Sequence, residues 1–210
     1  MKKLDFKREL KYLYKPSGQK ISVVDVPPMN FLTITGQGNP NNSPAYQEAV
    51  EALYSVAYTV KFMVKKGDME IDYGVMPLEG LWWVPDMSQF SLDDKEAWLW
   101  QMMIMQPEFI TAAMIAEAKA QAKKKKGLQA IDRLQLEQFV EGTAVQLLYT
   151  GPYADEGPTI QRLHQHVHEL GGELSGKHHE IYLGDPRRTA PERLKTVIRQ
   201  PFLVPEAVAG

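Results

Sequence analysis

Cysteine is absent from all 210 residues. That excludes disulfides, a thiolate nucleophile and cysteine-ligated zinc. No run of 18 apolar residues occurs, so no membrane-spanning helix is expected. The first ten residues, Met1 to Leu10, are basic in part but lack an apolar stretch behind the charges, so a secretory signal is not expected. An excess of one charge sign is missing too. Lysines and arginines number 24 against 26 acidic residues, a net charge of −2. A general nucleic-acid binder normally needs a strongly basic face. The phosphate-binding Gly-x-x-x-x-Gly-Lys-Ser/Thr loop, the dinucleotide Gly-x-Gly-x-x-Gly and the Gly-x-Ser-x-Gly elbow are all lacking. The expectation is a soluble cytoplasmic protein without cofactor or metal, touching neither membrane nor nucleic acid directly.

What is present suits a folded core: 44% of residues are hydrophobic, and a chain of this size buries roughly 70% of the surface its unfolded form exposes. Glycine and proline divide the chain into strands and helices. The β-branched runs Ile21–Val26 and Phe31–Thr35 read as strands split by Pro27-Pro28. Ser43-Pro44 is an N-cap with proline at the first helical position, predicting a helix to about Lys66 with Leu53, Val56, Ala57, Val60 and Val64 on one stripe. Strands are expected over Met69–Val75, Leu78–Val84 and Trp98–Met105, then a helix from about Glu108 to Lys126. Four lysines before Gly127 suit the carboxyl end of that helix. In the last third, Thr143–Tyr149 reads as a strand, Thr150–Pro158 as a loop and Thr159–Leu170 as a helix. His178–Leu183 and Lys195–Gln200 follow as strands.

The two ends share one outline: strand, glycine-proline loop, helix, strand pair. Glu79 and Gln106 are 27 apart where Glu180 and Gln200 are 20 apart, so a repeat needs a short insertion. This outline predicts an α+β fold of two β-α-β-β halves over about 20–107 and 132–202, joined by a helix at about 108–127, as one domain over 1–210. Strand alternation puts Glu180 and Tyr182 on one face, with Ile181 and Leu183 on the other. Glu79, Leu81 and Trp83 likewise stand opposite Gly80 and Trp82. The aliphatic face is expected to pack on helices, leaving the glutamate face to line a cavity.

A carboxylate among aromatics needs compensation. An arginine such as Arg187, Arg188 or Arg193 is one source; a cationic ligand held against aromatic faces is another. Tyr46, Tyr54, Tyr58 and Phe62 lie on an aromatic row along the first long helix, with Tyr54 the candidate wall residue. His164 and His168 share a helix face, but no His-Glu-x-x-His pattern accompanies them. His178 and His179 are better placed to modulate Glu180 than to bind metal. Trp82 and Trp83 point oppositely, so at least one packs, unless a bulge at Gly80 intervenes.

The segment His178-His179-Glu180-Ile181-Tyr182-Leu183-Gly184-Asp185-Pro186-Arg187-Arg188-Thr189 through Gln200-Pro201 resembles the closing signature of the GyrI-like small-molecule-binding family. Tyr149-Thr150-Gly151-Pro152-Tyr153 resembles its strand-to-helix loop, and Pro77–Trp83 completes the likeness to its stand-alone branch. The resemblance implies a duplicated β-α-β-β fold with pseudo-two-fold symmetry and a central ligand cleft. It also implies binding of lipophilic, flat or cationic small molecules, with Glu180 as the acidic residue. Glu79, Tyr182, Tyr149, Trp82, Trp83 and Tyr54 are the further candidate ligand contacts. The branch is similar to hydrolases of cyclopropanoid cyclohexadienones, a detoxification activity. For that chemistry Glu180, Glu79 and Tyr149 are the candidate catalytic residues: a carboxylate to position water, a second carboxyl as acid and a phenol to stabilise the developing phenolate.

Overall fold

The computed structural model describes residues 1–90 and 94–205. In chain order the elements are β1 (Lys2–Leu4), α1 (Phe6–Glu9), α2 (Lys11–Tyr14), β2 (Ser22–Val26), β3 (Met29–Gln37), α3 (Pro44–Lys66), β4 (Ile71–Tyr73), β5 (Leu78–Trp83), β6 (Leu99–Gln106) and α4 (Ala112–Lys126). There follow β7 (Gln135–Phe139), β8 (Gly142–Thr150), α5 (Gly157–Glu169), β9 (Glu173–Leu174), β10 (His178–Tyr182) and β11 (Lys195–Leu203).

Local chemistry sets the helix ends. Ser43 Oγ accepts from Tyr46 N at the start of α3, and the Gly67 N–H closes its end on Met63 O. The expected stripe of Leu53, Val56, Ala57, Val60 and Val64 is buried, joined by Ala49 and Ala52. Each large aliphatic residue so buried contributes about 1.5–3 kcal/mol. Helix α4 starts later than its composition suggests. Thr111 caps it through Met114 N, while Ile110 N bonds back to Pro107 O in a turn. At its end Lys126 pairs with Glu51 at 3.2 Å and Lys123 with Asp132.

The chain forms two compact units. The first holds residues 1–10 and 29–139. Its sheet runs β7-β3-β6-β5 with every pair antiparallel, and α3 packs on β3 and β6 with α4 beside it. A separate parallel pair joins β1 to β4. The second unit holds residues 11–28 and 140 onward. Its sheet runs β2-β8-β11-β10, again antiparallel, with β9 on the end of β11 and α5 against β8 and β11. Both units use the order strand, helix, strand, strand, and in both the last strand lies between the other two. Strand β2, which the chain order groups with β3, pairs instead with β8, Ser22 opposite Gln146 and Val26 opposite Gly142. Strand β7 precedes β8 but pairs with β3. No helix among the described residues is long and apolar enough to cross a membrane.

Candidate functional site

Strand β10 alternates as its sequence requires, so His178, Glu180 and Tyr182 share one face and His179 and Ile181 the other. The register sets Glu180 opposite Ile198, and Tyr182 opposite Thr196, which in turn faces Tyr149. Glu180 is 7% exposed. His178 Nε2 donates to its Oε1 at 2.9 Å and the Tyr182 hydroxyl to its Oε2 at 2.7 Å. A third hydrogen bond comes from the carboxyl of Glu156, which is 2% exposed. Burial pushes the Glu180 carboxyl up, but the hydrogen bond and charge of His178, with the Tyr182 and Glu156 bonds, outweigh it and hold the group below the usual glutamate range. The Glu180 and Glu156 carboxyls thus meet directly in the interior of the second unit.

The arginines proposed as compensation lie elsewhere. Arg187 spans Asp185 through Nε and Nη2, both at 3.0 Å. Arg188 and Arg193 line a surface hollow. Among the described residues, neither lysine nor arginine bonds to Glu180.

Helix α5 covers the glutamate face, not the aliphatic one. His164 approaches His178 and hydrogen-bonds Gln200, and both burial and His178 push its imidazole pKa down. Glu156 sits at the head of the same helix. This corrects the expected sidedness, and the reason is electrostatic: the polar face is buried because its groups satisfy one another. The opposite face has its own buried network. Arg199 Nη1 donates to Glu141 Oε2 at 2.9 Å, its Nε to Gln146 Oε1 at 3.0 Å and its Nη2 to Leu13 O at 3.0 Å. His179 Nδ1 donates to Glu141 Oε1 at 2.7 Å. Burial raises the Glu141 carboxyl, yet the charges and hydrogen bonds of His179 and Arg199 bring it down to about 2.

The tyrosines separate into different roles. The Tyr149 hydroxyl donates to Pro152 O at 3.0 Å and so is tied into its own loop. Burial, Asp155 and Glu156 push that phenol up. Tyr153 meets the Tyr182 ring edge-on at 5.6 Å. Thr196, in line between Tyr149 and Tyr182, is fully buried and its Oγ1 has no hydrogen-bond partner among the described residues.

The remaining candidates lie in the first unit. Trp82 is buried against Tyr46 of α3 at 6.0 Å and Trp98 at 5.2 Å, and so is a packing residue. No bulge intervenes at Gly80, because β5 pairs with β6 without interruption from Leu78–Ile104 to Trp83–Leu99. Glu79, fully buried, and Trp83, half-buried, point to the face turned away from α3. Glu79 and Glu180 therefore occupy unlike faces of their units, one away from the helix and one beneath it. Tyr54 stacks on Tyr58 and Tyr58 on Phe62, with Tyr58 and Phe62 about half exposed, so this row follows the solvent edge of α3. Among the described residues no three histidines or carboxylates are placed to hold a metal.

Three participants escaped the sequence reading: Glu156, Thr196 and the Glu141–Arg199 pair. Glu156 had a signal, as the acidic residue ahead of Gly157-Pro158 at a helix start, but its proximity to Glu180 depends on how α5 lies on the sheet. Thr196 and Arg199 acquire their neighbours only through strand register.

The GyrI-like small molecule binding domain matches residues 19–202 of the chain. Among solved structures, an uncharacterized conserved protein from Listeria innocua is 41% identical, with a TM-score of 0.88 over 95% of this chain and 100% of its own. A hydrolase from Listeria innocua is 39% identical, with a TM-score of 0.83 over 95% and 100%. Another hydrolase structure from that organism is 41% identical, with a TM-score of 0.86 over 96% and 100%. No curated protein matches the chain. A match across most of the sequence, joined to relatives near 40% identity over their whole length, places this chain in the GyrI-like small-molecule-binding family.

Proposed function

We propose that the protein binds a lipophilic, flat or cationic small molecule beside Glu180. The observation that carries this reading is the carboxylate itself: buried, ionised and bonded by an imidazole, a phenol and a carboxyl, without lysine or arginine. Such a group retains attraction for a positive charge in a low-dielectric setting. The Tyr153 and Tyr182 rings add faces for cation–π contact, and the Thr196 hydroxyl is a donor for a polar ligand atom. The test titrates ethidium and related flat cations against the full chain by fluorescence anisotropy. Glu180→Gln is expected to weaken binding at least tenfold, about 1.4 kcal/mol, and to leave uncharged ligands unaffected. Equal affinity in both proteins rules out charge complementarity.

A second reading is favoured by the two Listeria innocua structures described as hydrolases. Here the ligand is a substrate, a cyclopropanoid cyclohexadienone. Water adds to the strained carbon, the cyclopropane C–C bond breaks, and its electron pair passes to the dienone oxygen, which becomes a phenolate and then takes a proton. Glu180 positions the water and accepts its proton, while Glu156 supplies the acid. Both candidate phenols already have an acceptor, Tyr149 in Pro152 O and Tyr182 in Glu180 Oε2, and either exchanges it for the developing phenolate in this reading. Product formation beyond one equivalent, lost in Glu180→Gln, supports hydrolysis; protection that stops at one equivalent leaves binding alone.

A further inference from the structure

A second feature of the second unit lies outside the site of Glu180. Thr150, Arg188, Thr189, Arg193 and Lys195 line a solvent-facing hollow of about 430 Å³. None of these five side chains makes a hydrogen bond or ion pair among the described residues. The obvious local acid is already engaged: Asp185 accepts from the backbone N, Nε and Nη2 of Arg187 and reaches Arg188 only at longer range. The backbone that presents the cations is fixed. Arg188 N and Thr189 N both bond to Asp185 O, Arg193 N bonds to Ala190 O, and Gly151 N bonds to Leu194 O across the hollow's strand wall. Thr150 and Lys195 stand opposite each other in the β8–β11 register.

Three cations converge here on a chain whose net charge is −2. Their mutual repulsion is relieved by a counter-ion, and guanidinium forks beside hydroxyl donors match tetrahedral oxyanions. We infer that this hollow is a binding site for a phosphate group, carried by a small molecule or as the free ion. The site is independent of ligand binding at Glu180.

The test is 31P NMR titration of the full chain with inorganic phosphate and with phenyl phosphate, at constant ionic strength set by sodium chloride. Saturable line broadening is expected for wild type. In Arg188→Gln/Arg193→Gln the affinity should fall at least tenfold with an unchanged thermal midpoint, since both side chains are exposed. Lys195→Gln should give a smaller loss. Tighter binding of phenyl phosphate identifies an organic ester as the ligand; equal binding identifies free phosphate. Glu180→Gln should leave both titrations unchanged, which separates this site from the acidic one. The inference is overturned if wild type and the double variant broaden the signal equally, or if neither phosphate gives saturable broadening with wild type.

Discussion

Gly80 lacks a side chain for a steric reason: a Cβ there would lie 2.8 Å from Trp82 Nε1 and 3.2 Å from the Met102 sulfur. Gly80→Ala must push the indole off Tyr46, an overpacking change of about 1–3 kcal/mol. Urea unfolding should show that loss together with a shift in tryptophan emission; an unchanged midpoint would mean the indole has room to move. At this scale the sequence told half of the story. Alternation placed Glu180 with Tyr182 and separated Trp82 from Trp83, because side-chain direction in a strand follows from position alone. It did not tell which face the helix covers, so it assigned the aliphatic face to the helix and left Glu180 open.

Strand β11 shows what one element does on two faces. Thr196, Ile198 and Gln200 lie on the face beneath α5, while Arg199 projects to the other, into Glu141, Gln146 and the Leu13 carbonyl. Replacing Arg199 with methionine removes the cation and strands a buried carboxylate, a defect of about 3–5 kcal/mol. Chemical denaturation should register it, and Glu141→Gln in the same background should recover part of the loss. If Arg199→Met unfolds at the wild-type midpoint, the network carries little stability. From Ile21 onward most strands and helices were legible from β-branched runs, caps and glycine punctuation; β1, α1, α2 and β9 were not. Strand β7 was not, since Gln135-Leu136-Glu137-Gln138-Phe139 has no β-branched residue.

For the whole molecule, buried carboxylates govern the response to acid. Glu141 titrates at about 2 in the folded chain against 4.5 for an ordinary glutamate. Its contribution is complete above the ordinary value and is lost as pH falls from about 5 towards 2, in total about 3 kcal/mol. Glu180, also depressed, acts in the same direction. The urea midpoint should therefore drop steadily below pH 5, with a shallower slope in Glu141→Gln; a midpoint constant from pH 6 to pH 3 would show that neither carboxylate is held ionised. By itself the sequence determined the strand and helix periodicity, the capped ends of α3 and the family likeness of the closing segment, all of which depend on neighbours within a few positions. Only the tertiary structure decided that β2 joins β8, that α5 lies over Glu180 and that Glu156 rather than an arginine meets its carboxylate. Those outcomes depend on which distant surfaces can satisfy one another's charges and hydrogen bonds, and no local pattern of residues encodes them.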